Sequence, residues 1–295
     1  MAKTNDPRRV LITGTSSGFG YLATKALAER GHTVYATMRG VDGANKAKAD
    51  ELRSWAKQGG HTVHVLELDV SNDASVAAGV KKAVETGGGI DALVNNAGVG
   101  TFGLHETFSA EQVARLFDVN VVGAFRVTNA VLPLMRETKA GQLIFIGSSL
   151  GRVVVPFMGP YGATKFAVEG LAEGIAFEVG PLGIDVTIIQ PGAYATEFGT
   201  KGIQPAQANR MEQYGPVKDA VMGFGKWFGD MAASGQLGKP QEIADTILKV
   251  VETPRGERQL RVNVDAMLGQ GVKAINDACA QVQQQTLASM GMGKK

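Results

Sequence analysis

Short apolar runs alternate with longer amphipathic stretches over most of the chain. Runs rich in β-branched residues fall at 9–13, 33–37, 62–68, 92–95, 143–148, 185–190 and 259–264, and most are continuously apolar. That pattern predicts parallel strands covered on both faces. Between them, helical periodicity covers 19–30, 44–58, 73–86, 110–137 and 161–179. Ser109 followed by Gln112 has the form of a capping box and fixes the start of one helix. Pro240 with Glu242 opens another, running to about residue 251.

Strand, helix, strand, repeated, predicts an α/β fold: a Rossmann-type doubly wound parallel sheet of about seven strands with helices on both faces. The whole chain, 1–295, reads as one dinucleotide-binding and catalytic domain. Ligands of such sheets sit beyond the carboxyl ends of the strands. Residues 197–239 break the rhythm, being rich in Gly, Met and aromatics that include Phe198, Tyr214, Phe224, Trp227 and Phe228, and are too long for a plain loop. After Gly271 a Gln-rich extension, about 270–295, reads as a short helix followed by a frayed tail.

Composition narrows the function. Hydrophobic residues make up 44% and charged residues 20%, with a net charge of +2 and no basic cluster, which argues against a nucleic-acid partner. No apolar run reaches signal-peptide or membrane-spanning length, so a cytoplasmic protein without a membrane partner is expected. The lone Cys279 allows no intrachain disulfide. The four histidines show no ligand-like spacing, and no metal site is expected.

Directly after the first strand stands Thr13-Gly14-Thr15-Ser16-Ser17-Gly18-Phe19-Gly20, entering a helix. Glycines let the backbone approach a pyrophosphate, the helix N-terminus offers free N–H groups, and Ser16 and Ser17 add hydroxyls. A glycine trio also serves tight turns that only pack; its place between strand and helix favours phosphate binding. The second strand ends in Met38-Arg39, with no acidic residue between Gly31 and Val41 to accept ribose hydroxyls. Arg39 instead suits a 2′-phosphate through its planar fork, so NADP(H) is favoured while NAD(H) stays possible. A solvated surface arginine would look the same.

Tyr161 and Lys165 are four apart on a helix and share a face. An ammonium beside a phenol favours the phenolate, which fits Tyr161 for general acid–base work on a carbonyl or alcohol. Ser148 offers a hydroxyl to an oxygen on which charge develops. Taken singly, a Tyr and Lys four apart are commonly a packed ring beside a solvated amine.

The ordered set TGxxxGxG, Asn95-Asn96-Ala97-Gly98, Ser148, Tyr161-x-x-x-Lys165 and Pro191-Gly192 resembles the short-chain dehydrogenase/reductase family in its compact branch, over about residues 8–264. The resemblance implies a hydride-transferring oxidoreductase and supplies further site residues. Asn120 would hold a water that links the lysine to a proton relay. Asp69 and Val70 would meet the adenine, and Asn96, Ala97 and Gly98 the ribose. Pro191, Gly192, Tyr194 and Thr196 would position the nicotinamide amide. Ser17 departs from the basic residue that NADP-preferring relatives often carry at that position.

The family places its substrate lid where residues 197–239 fall, and aromatic and thioether side chains there suit an apolar carbonyl or secondary alcohol. They could equally form the lid's own small core. The chain looks more like hydroxysteroid and retinol-type members than 3-oxoacyl-thioester reductases, the alternative substrate class. The helices at 110–137 and 161–179 resemble the family's pairing helices, which implies a homodimer or homotetramer. A dinucleotide-binding sensor without catalysis is the competing class. Retention of Ser148, Tyr161, Lys165 and Asn120 weighs against it.

Overall fold

The computed structural model describes residues 6–197 and 202–292. Seven strands form one parallel sheet: β1 (Arg9–Thr13), β2 (Thr33–Met38), β3 (Val63–Glu67), β4 (Ala92–Asn95), β5 (Gly141–Ile146), β6 (Ile184–Pro191) and β7 (Arg261–Val264). Their order is β3-β2-β1-β4-β5-β6-β7, so the winding reverses beside β1, between β2 and β4. That reversal opens a crevice at the carboxyl ends, where such sheets bind ligands. The fold class read from the sequence is the one observed.

The strands alternate side chains between two helical layers. Val10, Ile12, Val34 and Val94 face α1 (Gly18–Glu29), α2 (Lys46–Gly59) and α8 (Pro240–Glu252), where Leu27, Leu52 and Ile247 are fully buried. Leu11, Tyr35, Leu93 and Phe145 face α3 (Asp73–Gly87), α5 (Gly123–Thr138) and α6 (Gly159–Val179). Two continuous apolar layers on a central sheet explain why the strands are apolar along their whole length.

Three segments differ from the sequence reading. The helix expected at 110–137 is α4 (Ala110–Phe117) and α5 joined by a π turn at Asp118–Val122. The capping box at Ser109 and Gln112 is formed as expected. Between 202 and 239 the stretch read only as too long for a plain loop holds α7 (Pro216–Ala233), whose helix-disfavouring Gly223, Gly225 and Gly229 masked the helical spacing of Phe224, Trp227 and Phe228. Phe198 lies outside the described residues. Finally, the C-terminal stretch is not a short helix: α9 runs from Gly269 to Ser289. Alanine and glutamine, which the sequence supplies there in number, are good helix formers, and Asp265 fixes the turn that leads into it by accepting the N–H groups of Met267 and Leu268.

Candidate active site

The turn between β1 and α1 is built for close approach. Gly14 has φ +72°, and a Cβ there would lie 2.8 Å from the Cα of Ala97. A Cβ on Gly20 would lie 2.5 Å from both the Gly14 carbonyl oxygen and Asn96 Nδ2. Asn96 Nδ2 donates to the carbonyls of Thr13 and Gly14 at 2.8 and 3.0 Å, stapling this turn to the end of β4. Thr13 Oγ1 accepts the N–H groups of Asn96 and Ala97 at 3.0 Å, so the β4 loop is held from the same point. Ser17 precedes α1 without bonding its first turn through the side chain, which leaves N–H groups there for an anion.

Beside this turn the end of β2 carries Arg39, which is exposed. Its carbonyl accepts from Asn45 Nδ2 at 2.7 Å, and the N–H groups of Gly40 and Val41 donate to Glu67 at 2.8 Å each. The backbone around Arg39 is thus fixed while its guanidinium faces solvent. Asp69, at the end of β3, is half-buried. Burial works against its charge, but hydrogen bonds from Ser71 and the field of Arg39 hold its carboxyl below the usual range. Val70 packs against Gly123 of α5, and Arg126 bonds the Val70 carbonyl at 3.3 Å while pairing with Asp73 and Asp118.

At the centre, β5 delivers Ser148 and α6 delivers Tyr161 and Lys165, all three buried. Ser148 Oγ accepts the Leu150 N–H at 3.1 Å and is hydrogen-bonded to the Tyr161 phenol. Burial pushes the phenol well above its ordinary value, and only the Ser148 contact opposes this. Lys165 Nζ stands 5.6 Å from the centre of the Tyr161 ring and donates to the Ile146 carbonyl at 2.8 Å. Burial pushes its ammonium down to about 8, against the field of Glu169. Lys165 is therefore a cation at neutral pH, with two donors to spare beyond the bond to Ile146.

Asn120 lies in the π turn, a departure that recurs at functional sites. Three of its four side-chain hydrogen-bonding positions are used: Oδ1 accepts the Val99 N–H at 2.8 Å, and Nδ2 donates to the Val99 carbonyl and to Thr164 Oγ1. It ties the β4 loop, with Gly98, to α6. Pro191 and Gly192 end β6, the Gly192 N–H donating to Val264 at 3.0 Å. The Tyr194 hydroxyl is directed to the Val264 carbonyl at 3.0 Å and to Glu242, and its ring meets Phe19 edge-on. Thr196 lies across from Gly18. Every predicted site residue is thereby placed at the carboxyl edge of the sheet.

Sequence reasoning missed several neighbours. Asp265, after β7, packs its carboxylate directly over Gly192. Phe102, in the loop after β4, and Phe157, in the loop before α6, join Phe224 and Trp227 of α7 in one aromatic wall. Phe102 stacks on Phe224 at 5.7 Å, Phe157 meets both edge-on, and Trp227 lies 5.5 Å from Phe224. Phe157 is held at φ +66°, a strained setting for a bulky residue, with its carbonyl accepting the Gly103 N–H at 2.9 Å. The strand-end position of these loops was the available signal. Three of the four histidines are engaged elsewhere: His61 stacks on Trp55, His64 on Tyr35, and His32 is buried against Glu252.

The short chain dehydrogenase pattern matches residues 8–206. The chain belongs to the short-chain dehydrogenase/reductase family. It is 35% identical to retinol dehydrogenase 8 of Bos taurus over 87% of this chain and 82% of that protein. It is 39% identical to 3-ketodihydrosphingosine reductase of Bacteroides thetaiotaomicron over 65% of this chain and 66% of the relative, just under two thirds of the latter's length. Among solved structures, actinorhodin polyketide ketoreductase with NADPH is 28% identical, with a TM-score of 0.73 covering 91% of this chain and 99% of the other. As a member of the family the protein is an oxidoreductase with a nicotinamide dinucleotide as cofactor. Among the described residues no helix is long and apolar enough to cross a membrane, and no group of side chains could hold a metal ion.

Proposed function

We propose that the protein reduces a carbonyl, or oxidises the corresponding secondary alcohol, of an apolar small molecule with NADP(H), and that Tyr161 is the general acid and base. The observation that carries this reading is the buried trio in which Ser148 bonds the Tyr161 phenol and Lys165 stands beside its ring.

The chain's own residues define the proton's path. In the reducing direction Tyr161 donates its proton to the carbonyl oxygen as charge builds there, and Ser148 donates a second hydrogen bond to the same oxygen. Lys165, kept cationic, lowers the cost of leaving a phenolate in a buried site. The bound dinucleotide supplies or accepts the hydride. The α1 N-terminus, whose first N–H groups the Ser17 side chain leaves uncapped, fits its pyrophosphate, and Gly14 and Gly20 let the turn close against Ala97 and Asn96 so that these groups face outward. Asp69 and Val70 line the adenine, and Asn96 to Gly98 the ribose. Pro191, Gly192, Thr196 and the backbone beside Tyr194 hold the amide end; the Tyr194 hydroxyl is already committed to Val264. Asn120 contributes through the main chain of the π turn, where a displaced carbonyl can hold a relay water, since both of its side-chain N–H donors are committed and Oδ1 already accepts from Val99.

The preference for NADP(H) rests on Arg39, whose side chain is exposed at the end of β2, a strand end that carries no acidic residue of its own. The apolar substrate rests on the wall of Phe102, Phe157, Phe224 and Trp227, which offers area with few polar handles. A suitable panel is retinal (an aldehyde, whose alcohol is primary), a 17-keto steroid, 3-ketodihydrosphingosine and acetoacetate. NADPH consumption is expected with at least one of the three large apolar carbonyls and not with acetoacetate, and Tyr161→Phe is expected to abolish it. Binding of NADPH without turnover of any compound would point to a sensor. Full turnover by Tyr161→Phe would end the proposed acid–base role.

A further inference from the structure

A charged residue sits in the core directly beneath the site. Glu169 follows Lys165 by one helical turn on α6, and its side chain is 3% exposed. One carboxylate oxygen accepts from Gln190 Nε2 of β6 at 2.7 Å; the other accepts from Arg261 Nε of β7 at 2.9 Å and lies 3.7 Å from Arg152 Nε. The same carboxylate side chain presses on the turn that presents Ser148. A Cβ on Gly151 would lie 2.9 Å from Glu169 Cγ, and one on Gly147 would lie 3.3 Å from its Oε1.

The cluster extends to the C-terminal helix. Asn276 of α9 accepts from Arg152 at 2.8 Å and donates to Gln190 Oε1 at 2.8 Å. Glu173, a further turn along α6, pairs with Arg261 at 3.0 Å. Arg152 Nη2 is buried without a hydrogen-bond partner, so acceptors are already scarce. A buried carboxylate held by two arginines is costly unless it serves more than stability.

We propose that Glu169 is a positioning residue of the site: held by Gln190 and Arg261, it locks the helix carrying Tyr161 and Lys165 onto the Ser148 turn and sets its carboxylate one helical turn from Lys165. The charged and titratable groups around it are Lys165, Tyr161 and Glu173 on α6, Arg152 before α6 and Arg261 on β7. Glu169 is the one side-chain charge whose field raises the Lys165 titration against burial. The inference rests on the proposed role of Lys165 as the cation beside the general acid.

Lysine labelled with 13C at Cε allows the titration of Lys165 to be followed by NMR in the full-length protein, the resonance being assigned by its loss in Lys165→Arg. In Glu169→Gln the midpoint is expected to fall by about one pH unit, and Glu169→Asp is expected to restore most of it. Should Glu169→Gln fail to fold, Glu169→Gln combined with Arg261→Gln removes both charges together and is still expected to titrate below the parent. Arg258→Gln, which breaks a buried pair at the far end of the sheet, should lower the melting temperature without moving the midpoint. A Lys165 midpoint equal to the parent's in the folded Glu169 variant overturns the role of Glu169. Turnover by Tyr161→Phe, measured separately, would overturn the underlying reading instead.

Discussion

The two edges of the sheet use polar residues in opposite ways. At the amino ends of the strands, charges are spent on one another. Arg9 grips Asp91 at 2.6 Å, Arg30 and His32 share Glu252 at 2.9 and 3.3 Å, and Arg258 holds Asp185 at 2.7 Å. At the carboxyl ends the polar groups keep capacity in reserve: the first turn of α1, the ammonium of Lys165, the guanidinium of Arg39. In a parallel sheet with crossover helices, helix N-termini gather at the carboxyl edge and C-termini at the other. One edge is therefore fit to close the fold and the other to hold an anion and do chemistry.

Substitutions at each edge test that division. The largest effect is expected for Gly20→Ala, whose new Cβ meets the Gly14 carbonyl and Asn96 at 2.5 Å. NADPH affinity should drop by about a hundredfold, about 2.7 kcal/mol, in a fluorescence titration. Unchanged affinity would mean that this turn does not carry the pyrophosphate. Arg258→Gln at the opposite edge should cost about 2 kcal/mol in denaturant unfolding, less than a fully buried pair because Asp185 is partly exposed. Its NADPH affinity should match the parent's, and a loss there would blur the distinction between the edges.

A smaller change is expected at Arg39. Arg39→Asp should move the ratio of NADPH to NADH affinity by about tenfold toward NADH, about 1.4 kcal/mol. A constant ratio would place the 2′-phosphate elsewhere. The smallest effect concerns His32, which is fully buried, accepts the Arg8 N–H at 3.0 Å and faces Glu252. Burial lowers its pKa more than Glu252 raises it. The unfolded chain therefore binds the proton more readily, and stability should decline as pH falls below the ordinary histidine value of about 6.5. Thermal melts from pH 7 to 5 should show that slope, and His32→Gln should flatten it; a slope that persists would assign it to other groups.

How much could be read beforehand follows from the distance over which each feature is encoded. The β1–α1 turn and the Tyr161–Lys165 pair are local spacings, so the sequence displays them directly. The aromatic wall joins residues 102, 157, 224 and 227, which meet only after the sheet has aligned three strand-end loops. Nothing local marks Phe102 or Phe157. The π turn was illegible for another reason: one extra residue in a helical ladder barely disturbs a 3.6-residue period, while it redirects Asn120. Glu169 sat in a helical pattern as one more charged residue, and its burial depends on β7, which arrives nearly a hundred residues later. The length of α9 was underestimated because glutamine-rich composition resembles a solvated tail, although propensity favoured helix.

The docking of α9 also bears on the order of events during synthesis. Asn276 closes the polar cluster around Gln190 and Arg152, yet it is synthesised well after both. The nucleotide turn, the serine turn and the Tyr161 helix can all form earlier from chain already emerged. Until α9 settles, Arg152 and Gln190 have Glu169 but lack the bonds that Asn276 supplies in an otherwise assembled interior. The nascent protein thus passes through a stage that is folded in outline but carries an incompletely paired polar core, the stage at which aggregation and chaperone capture compete most strongly with completion.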